Sequence, residues 1–505
     1  MSNWNSNKVS GDKLYGYEWN NLTGYGLVKP ASYIIDKSGD TYRALNGTTG
    51  KIDYSGTDAA SVIQLAINAL GTTGGKIFIR AGTYLISSPI SISVPLTMEG
   101  ETGTILKSSG DNSILRINVG FNGLNSAQTI IILNNLAFDG SLISTSTTPI
   151  INIENDMNTV SRILRFLNLK FYSGQRGIAY TNQTYKWIAG GSVFQNLQFH
   201  NMKASSLCIN GAVYDLFLNN IFIYSSDQDP SESYVYLNCI KDGAVENSGF
   251  TVQGLTIIGK QGTAITNAME VQANVVRISN LEIDVVSGNG LFINGTHIYM
   301  ESFDVTAATG NGISINNSWV SLCNGRITNN QQHGVYVSSG SYLQIFNVNF
   351  KDNGQAADSA YDDIHINDNA GANTIISATC SASATNRTRY GLYAGQNSYG
   401  IANLETTGLR IGAVYLNVTK LWHLNYLENS KPNKKSGTAT IPSGQTSVTV
   451  NHGICSTPTV VIVTGSTSDT SDVYVSAVTS TTFTITVPSP VGGDRTVYWY
   501  AEYNP

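Results

Sequence analysis

The chain has 505 residues, of which 49 are Gly, 11 are Pro and 12% are charged, and its net charge is −5. This composition excludes long helices and coiled coils, which are rich in Glu, Lys and Ala, and it favours strands and turns. The only basic cluster is Lys431, Lys434 and Lys435, so we expect no nucleic-acid partner, because such binding needs a basic face. No apolar run is long enough to span a membrane.

The first 52 residues are polar and irregular, and we interpret residues 1–52 as an N-terminal arm. They contain no apolar segment typical of a signal peptide. The expected location is extracellular or on a virion surface, without a signal peptide in this chain, since a virion protein released by lysis needs none. Five Cys are scattered along the sequence without CxxC or metal-ligand spacing. We therefore predict mostly free thiols, no metal and no cofactor.

One helix is predicted near the N-terminal end of the chain. Asp58 can cap a segment from Ala59 to Leu70, and Gly71 ends it. The apolar stripe expected to face the interior consists of Val62, Leu65, Ala66, Ala69 and Leu70. A stack of repeats exposes its core at an open end, so we predict that this helix caps such a stack.

Short strands follow the helix, and their order carries a family resemblance. The segments concerned are Gly56-Thr-Asp-Ala-Ala, Gly74-Gly-Lys-Ile-Phe-Ile, Ala81-Gly-Thr-Tyr-Leu-Ile, Met98-Glu-Gly-Glu, Thr104-Ile-Leu-Lys and Asn135-Leu-Ala-Phe-Asp-Gly140. Over residues 53–140 they closely resemble the N-terminal part of the pectate-lyase-like superfamily, which includes phage tailspikes and secreted polysaccharide-degrading proteins. The resemblance implies a right-handed parallel β-helix, but one fold hosts many functions and does not fix the chemistry.

A repeat between residues 275 and 341 predicts the same architecture independently. Three segments end alike, Gly290-Leu-Phe-Ile293, Gly312-Ile-Ser-Ile315 and Gly334-Val-Tyr-Val337, and their glycines are 22 residues apart (312 − 290 = 334 − 312 = 22). An alternating strand precedes each glycine, and its inward residues are predicted to be Leu281, Ile283, Phe303, Val305 and Ile327. A fixed period of short strands is typical of a β-helix. We predict an all-β chain whose residues 53–430 form a right-handed parallel β-helix.

The period changes after residue 430. Residues 431–437 are predicted to be a linker, and residues 438–505 contain short strands and turns typical of a small antiparallel β-sandwich. Within them, Ile441-Pro-Ser-Gly-Gln-Thr-Ser-Val-Thr-Val, Asn451-His-Gly, Phe483-Thr-Ile and Trp499 resemble C-terminal modules of tail fibres and other viral or surface proteins. By that analogy we expect a homotrimer.

The repeat places acidic residues in one outward column. Glu282, Asp304 and Arg326 occupy equivalent positions on consecutive coils, and Asp284 lies beside the first two. Coils are about 4.8 Å apart, and stacked like charges destabilise a sheet. Two carboxylates of which one keeps its proton form the catalytic apparatus of a glycoside hydrolase. We predict Glu282 and Asp304 as the catalytic pair and Asp284 as the alternate partner; the alternative is a solvated acidic face neutralised by Arg326.

Other outward residues suit substrate binding. Arg326 would hold a hydroxyl or carboxylate, and Tyr336 would stack on a sugar ring. Asp362, Asp363 and His365 form a second candidate cluster, which could bind or protonate a sugar oxygen. The alternative interpretation is a turn Asp that bonds its own backbone and an exposed strand His.

Three functional hypotheses follow. The favoured one is a polysaccharide-cleaving glycoside hydrolase of the tailspike-like depolymerase kind; the others are a non-catalytic carbohydrate-binding receptor module and a structural surface or virion protein. A polysaccharide lyase is less well supported, since it would need Arg326 or Lys351 as its base. Of the motifs of polygalacturonase-type β-helices, only Tyr361-Asp362-Asp363 partly fits. The expected partner is a polysaccharide or glycan.

Overall fold

The structure is a computed structural model. It describes residues 31–120, 130–155, 163–182, 190–211, 213, 215–227, 230–241, 244–245, 249–262, 265–368, 370–383, 388–418, 420 and 422–504. Most of the predicted N-terminal arm, residues 1–30, lies outside them. The chain divides into two compact units, unit 1 with residues 1–265 and 272–276, and unit 2 with residues 266–271 and 277–505. The predicted right-handed parallel β-helix with a C-terminal β-sandwich is confirmed.

Unit 1 is built almost entirely from short strands. In chain order they are β1 (Tyr33–Ser38), β2 (Thr41–Asn46), β3 (Ile52–Gly56), β4 (Gly75–Ile79), β5 (Gly82–Ile86), β6 (Ile90–Ile92), β7 (Leu96–Gly100), β8 (Thr104–Ser108), β9 (Leu115–Asn118), β10 (Ile130–Asn134), β11 (Ala137–Asp139), β12 (Pro149–Glu154), β13 (Ile163–Leu167), β14 (Lys170–Gly174), β15 (Arg176–Asn182), β16 (Val193–Met202), β17 (Leu207–Gly211), β18 (Leu216–Tyr224), β19 (Val235–Asn238), β20 (Ile240–Lys241), β21 (Ala244–Val245) and β22 (Gly249–Ile258). The strands β4, β7, β10, β13, β16, β18 and β22 pair in parallel, as do β6, β9, β12, β15, β17 and β19. Phenylalanine rings stack along the core from coil to coil, with Phe171 and Phe199 4.5 Å apart between ring centroids.

The predicted helix is present in unit 1 as α1, which spans Ala59–Ala69. Asp58 caps it by accepting a hydrogen bond from the backbone N–H of Ser61 at 3.0 Å. The predicted apolar stripe is wrong in part, because Leu65 and Ala69 are exposed while Ile63 and Ile67 are buried. The helix packs against β2 and β3 and also against β5 and β6, so tertiary packing selects the face centred on Ile63. A 3-10 helix follows at Gly71–Thr73.

Unit 2 continues the same kind of coil and then changes to antiparallel sheets. The division between the units falls within β23 (Asn267–Gln272) and β24 (Val275–Asp284). The later strands are β25 (Asn289–Ile293), β26 (His297–Thr306), β27 (Ile313–Asn316), β28 (Trp319–Thr328), β29 (Val335–Ser339), β30 (Tyr342–Lys351), β31 (Ile364–Ile366), β32 (Asn373–Ser381), β33 (Tyr390–Ala394), β34 (Tyr399–Thr407), β35 (Gly412–Leu416), β36 (Trp422–Glu428), β37 (Lys431–Pro432), β38 (Lys434–Ile441), β39 (Ser447–Asn451), β40 (Val460–Gly465), β41 (Tyr474–Val478), β42 (Thr482–Thr486) and β43 (Arg495–Glu502). A 3-10 helix spans Ser468–Thr470.

The predicted register of 22 residues is confirmed in unit 2. Asp304 pairs with Arg326, and Ser314 pairs with Tyr336, each one coil apart. The residues predicted to point inward are all buried, namely Leu281, Ile283, Phe303, Val305 and Ile327. Outward side chains at equivalent positions therefore form columns along the coils, and these columns place the candidate site.

Four long strands of unit 2, β24, β26, β28 and β30, are each bent at one residue. Ser302, Asn324 and Asn347 have φ values of 55°, 54° and 52° at equivalent positions, a conformation that Asn tolerates well. The Asn347 side-chain amide donates a hydrogen bond to that of Asn324 at 2.8 Å. The alternation of buried and exposed residues breaks at this bend, since Glu301 and Ser302 are both exposed. Each strand thus has a first half and a second half with separate outward faces.

The C-terminal region forms two three-stranded antiparallel sheets, β38-β43-β40 and β39-β42-β41. They enclose one core that includes Ile441, Phe483, Ile485 and Trp499. Residues 431–437, predicted to be a linker, contain β37 and the start of β38; the predicted domain boundaries stay predictions. Within the described residues, the structure contains no helix long and apolar enough to cross a membrane.

Candidate functional site

The acidic residues predicted from the repeat lie on the second halves of neighbouring long strands. We call Glu282, Asp284, Asp304 and Arg326 the carboxylate column; Glu282 and Asp284 belong to β24, Asp304 to β26 and Arg326 to β28. The residue before Arg326 is Gly325. A Cβ atom at this position would lie 2.3 Å from the Phe303 ring, so a larger residue would not fit. The close contact sets Asp304 and Arg326 side by side on the surface.

Asp304 is paired on one oxygen only. Its Oδ2 accepts hydrogen bonds from Arg326 Nε, at 3.1 Å, and from Arg326 Nη2. Its Oδ1 is buried and has no hydrogen-bond partner among the described residues. The Arg326 side chain is 66% exposed, whereas that of Asp304 is 23% exposed. A buried carboxylate oxygen without a partner is costly, and in native structures such an atom calls for a functional or structural explanation.

The surroundings of the neighbouring acid Asp284 shift its pKa. Burial raises the pKa of Asp284, a hydrogen bond from the Val285 backbone opposes that shift, and the negative charge of Asp304 raises the pKa further. Glu282 is exposed. The hydrogen bond and charge of Asp304 raise the pKa of Arg326, and the charge of Glu282 adds a smaller contribution. The column therefore combines an acid with a raised pKa, Asp284, with an acid that is paired with the guanidinium of Arg326.

The second predicted cluster lies at the starts of the shorter strands. Asp362, which is fully buried, accepts four hydrogen bonds: Arg389 Nε at 2.9 Å and the Tyr390 backbone at 3.2 Å bind Oδ1, while Arg389 Nη2 and His365 Nδ1 bind Oδ2, each at 2.8 Å. His333 accepts a hydrogen bond from the Asp362 backbone N–H on Nδ1, at 3.0 Å. We call His333, Asp362, His365 and Arg389 the histidine cluster.

Burial, hydrogen bonds and neighbouring charges set the ionisation of Asp362 and His333. Burial opposes ionisation of Asp362, but the hydrogen bonds from His365 and Arg389 outweigh it and lower the pKa of the carboxyl group. Burial, followed by the charges of His365 and Arg389, lowers the pKa of His333 to about 3, so its imidazole is neutral near pH 7. Asp362 and Arg389 are thus an ion pair beside a neutral histidine.

Three groups of the histidine cluster have the composition of a metal site. Ligand atoms of His333, Asp362 and His365 lie within 4.8 Å of one another. Each of these residues already uses lone pairs or protons in hydrogen bonds, and Arg389 supplies the positive charge that a cation would bring. The donor set does not fit a metal ion, since binding would require the Asp362–Arg389 pair to break.

The structure separates Tyr336 from the carboxylate column and joins it to the histidine cluster. Its ring centroid lies 5.5 Å from each of His333 and His365, and its hydroxyl accepts a hydrogen bond from Asn367 at 2.8 Å. His365 also stacks on Tyr393, at 4.5 Å. The rings of this column thus contact one another.

Asp363, predicted with this cluster, is fully buried in the coil. It stands where neighbouring coils have Gly, as the pairing of β29 with β31 shows. Asn353 donates a hydrogen bond to its Oδ1 at 2.8 Å, and burial raises the pKa of the carboxyl group to about 8. Its carboxyl group therefore does not reach the surface where a polysaccharide would bind.

Sequence reasoning missed two members of the histidine cluster. His333 precedes Gly334 as Asp362 precedes Asp363, so the repeat register carried a signal that pairs them. Arg389 lies 27 residues after Asp362, a spacing that departs from the repeat and gave no signal.

No family model matches the sequence, and no curated protein matches it either. Solved structures are similar in fold. The A-module of mannuronan C-5 epimerase AlgE6 from Azotobacter vinelandii shares 15% identity over 74% of this chain and 95% of that chain, with a TM-score of 0.47. A mutant tailspike of Escherichia coli bacteriophage HK620, in complex with pentasaccharide, shares 10% identity over 89% and 90% with a TM-score of 0.47. The tailspike gp61 of Pseudomonas phage phi297 shares 11% identity over 88% and 92% with a TM-score of 0.41.

Proposed function

We propose that this β-helix protein is carbohydrate-active and that it hydrolyses a polysaccharide at the carboxylate column. The observation that carries the proposal is the state of Asp304, which Arg326 pairs on one oxygen while the other oxygen is buried without a partner among the described residues, next to Asp284, whose pKa is raised by burial. Two adjacent carboxyl groups in different surroundings can divide the roles of acid and base between them.

In this mechanism Asp284 gives its proton to the glycosidic oxygen as the bond to the anomeric carbon breaks. Asp304 is ionised, and it either attacks the anomeric carbon or takes a proton from the attacking water, according to the separation of the two carboxyl groups in the complex. Asp284 takes the acid role ahead of Glu282, because Glu282 is exposed to water. Glu282 and Arg326 then bind sugar hydroxyl groups at the edge of the site.

The test is the release of reducing ends from a panel of polysaccharides, followed by substitution of the acids. We expect Asp304→Asn and Asp284→Asn each to lower kcat by about 10²- to 10⁴-fold, with unchanged circular dichroism. Glu405→Gln is the matched control, since Glu405 lies in the same column of the sheet with Thr379 and Leu427 as its neighbours. Full activity in both Asp284→Asn and Asp304→Asn would rule the site out.

One observation favours a second candidate function, carbohydrate binding without cleavage. The ion pair with Arg326 neutralises Asp304, and a neutralised carboxylate can hold hydroxyl groups without serving as a base. Under this alternative the panel releases no reducing ends, and Asp304→Asn weakens glycan binding instead of turnover. A polysaccharide ligand is consistent with an extracellular or virion-surface location, and the expected homotrimer can be checked by light scattering.

A further inference from the structure

The first halves of the long strands in unit 2 carry exposed aromatic rings. His297, Trp319, Tyr342 and Tyr399 lie in one column that runs from β26 to β34, and Tyr299 lies in the next column, two residues further along β26. We call these five residues the aromatic stripe. Trp319 is 58% exposed and Tyr299 is 50% exposed. Large rings left this open to water commonly mark a binding surface.

The rings of the stripe do not cover one another. The Trp319 ring is tilted by 55° to His297 and by 39° to Tyr342, with centroid distances of 5.2 and 5.4 Å. By contrast, the ring of His365 in the histidine cluster is nearly parallel to that of Tyr393, with an angle of 9° between the ring planes. Tilted rings leave part of each apolar face accessible, so Trp319 and Tyr342 can stack on the flat apolar face of a sugar ring.

Two adjoining grooves run along the stripe. One has a volume of about 370 Å³ and is lined by Tyr299, Trp319 and Gln344 among others. The other has a volume of about 600 Å³ and includes Tyr399 and Lys420. Tyr342 lines both grooves, so they lie on either side of its ring. Their sizes fall in the range of ligand sites, about 300–1,000 Å³, and hydroxyl and amide groups alternate with the rings.

The charge of the grooves differs from that of the whole chain. Among the described residues that line them, none is Asp or Glu, whereas His297, His423 and Lys420 are present. The Lys420 ammonium group lies 5.1 Å from the centroid of the Tyr399 ring. The net charge of the chain is −5, so a surface without acids is complementary to a ligand with scattered negative charges. Single-stranded nucleic acid fits poorly, because it carries one phosphate per nucleotide and needs a continuous basic groove.

We propose that the aromatic stripe binds a segment of an acidic polysaccharide, whose sugar rings stack on Trp319 and Tyr342 and whose carboxylate contacts Lys420. This proposal rests on the proposed function, because it takes the substrate to be a polysaccharide. Trp319 and Arg326 are seven residues apart on β28, so at about 3.3 Å per residue the two surfaces are separated by no more than about 23 Å along the strand. One polymer chain can therefore contact the stripe while another part of it occupies the carboxylate column.

The test uses the full chain carrying Asp304→Asn, titrated calorimetrically with polygalacturonate, alginate, hyaluronan and the neutral polymer dextran. We expect at least one acidic polymer to bind more tightly than dextran. Adding Trp319→Ala should weaken that binding at least tenfold, and adding Lys420→Gln should reduce the preference for the acidic polymer. The matched control is Tyr498→Ala in the C-terminal sandwich, where the residue is exposed to a similar extent, 50% against 58% for Trp319, and binding should not change.

Three outcomes overturn the proposal: no binding of any acidic polymer, no preference over dextran, or unchanged affinity in Trp319→Ala. A fall in oligomer mass on Trp319→Ala, seen by light scattering, also overturns it, because the stripe would then contact a second copy of the chain. The two proposals fail separately. Full turnover in both Asp284→Asn and Asp304→Asn refutes the catalytic site and leaves the stripe standing, whereas unchanged affinity in Trp319→Ala refutes the stripe and leaves catalysis standing.

Discussion

Unit 2 contains two Asp–Arg pairs in very different surroundings. In the histidine cluster the Asp362 side chain is fully buried and both its oxygens are bonded. In the carboxylate column the Arg326 side chain is mostly exposed and one oxygen of Asp304 has no partner among the described residues. The carboxylate of the first pair is fully bonded inside the protein, whereas that of the second keeps one oxygen without such a bond among the described residues. The same two residue types can therefore serve stability in one place and binding or chemistry in another.

The comparison is tested most strongly by removing the charge of Asp362. Asp362→Asn keeps the shape but leaves the partly buried Arg389 without its counter-ion, so the free energy of unfolding should fall by about 3–5 kcal/mol. The pKa of Asp362 is lowered in the folded protein, so its contribution is present above its unfolded pKa of about 3.9 and is lost as the pH falls through the folded value. Urea unfolding at pH 7 and in acid measures both effects.

The matched variant for this experiment is Asp304→Asn, which breaks the exposed pair. Its free energy of unfolding should change by only about 0–1 kcal/mol. Equal losses in Asp362→Asn and Asp304→Asn would show that burial does not distinguish the two pairs.

Asp363 extends the comparison to a buried acid that has no cation as a bonded partner among the described residues. Burial raises its pKa to about 8, so the folded protein holds a proton that the unfolded chain loses above about pH 4. The free energy of unfolding should therefore decrease as the pH rises from about 4 to about 8. Asp363→Asn should remove most of this slope and raise the melting temperature at pH 8. A slope that persists in Asp363→Asn would assign the proton to another group.

The smallest expected effect concerns the pH dependence of turnover. Arg326→Gln leaves the charge of Asp304 uncompensated, and that charge already raises the pKa of Asp284. If Asp284 is the proton donor, the alkaline limb of kcat/KM should move up by about one pH unit. Arg410→Gln, which breaks the exposed pair with Asp358, is the control and should leave the limb in place. A limb that does not move in Arg326→Gln would remove Asp284 from the acid role.

The fold could be predicted because each coil repeats one local pattern. The 22-residue spacing and the alternation at Phe303 and Val305 specify both the register and the inward face, and the observed pairing of Asp304 with Arg326 confirms them. The face of α1 could not be predicted in the same way. Several apolar stripes are possible on an Ala-rich helix, and contacts with distant strands leave Leu65 exposed.

The candidate sites were predictable only where the coils keep their length. The carboxylate column lies in coils of constant spacing, so the residue numbers alone place its members. His333 and Asp362 are 29 residues apart, because an insertion lengthens that coil and hides the contact. The aromatic stripe shows a further limit, since outward rings at equal spacing can stack flat, as His365 and Tyr393 do, or stay tilted and open, as Trp319 does.

A ladder of hydrogen-bonded Asn side chains follows the bends of the coils in unit 1. Asn168, Asn196 and Asn220 occupy the bend on successive coils, and each donates a side-chain hydrogen bond to the Asn before it in the ladder, at 3.0, 2.9 and 2.8 Å. Replacing Asn196 therefore removes one hydrogen bond from each of its two ladder neighbours, Asn168 and Asn220. The ladder stops at Gly254, which keeps the same left-handed backbone at φ 71° without an amide. A Cβ atom at Gly254 would make only ordinary van der Waals contacts. Gly254→Asn would therefore extend the ladder of Asn side-chain hydrogen bonds by one residue.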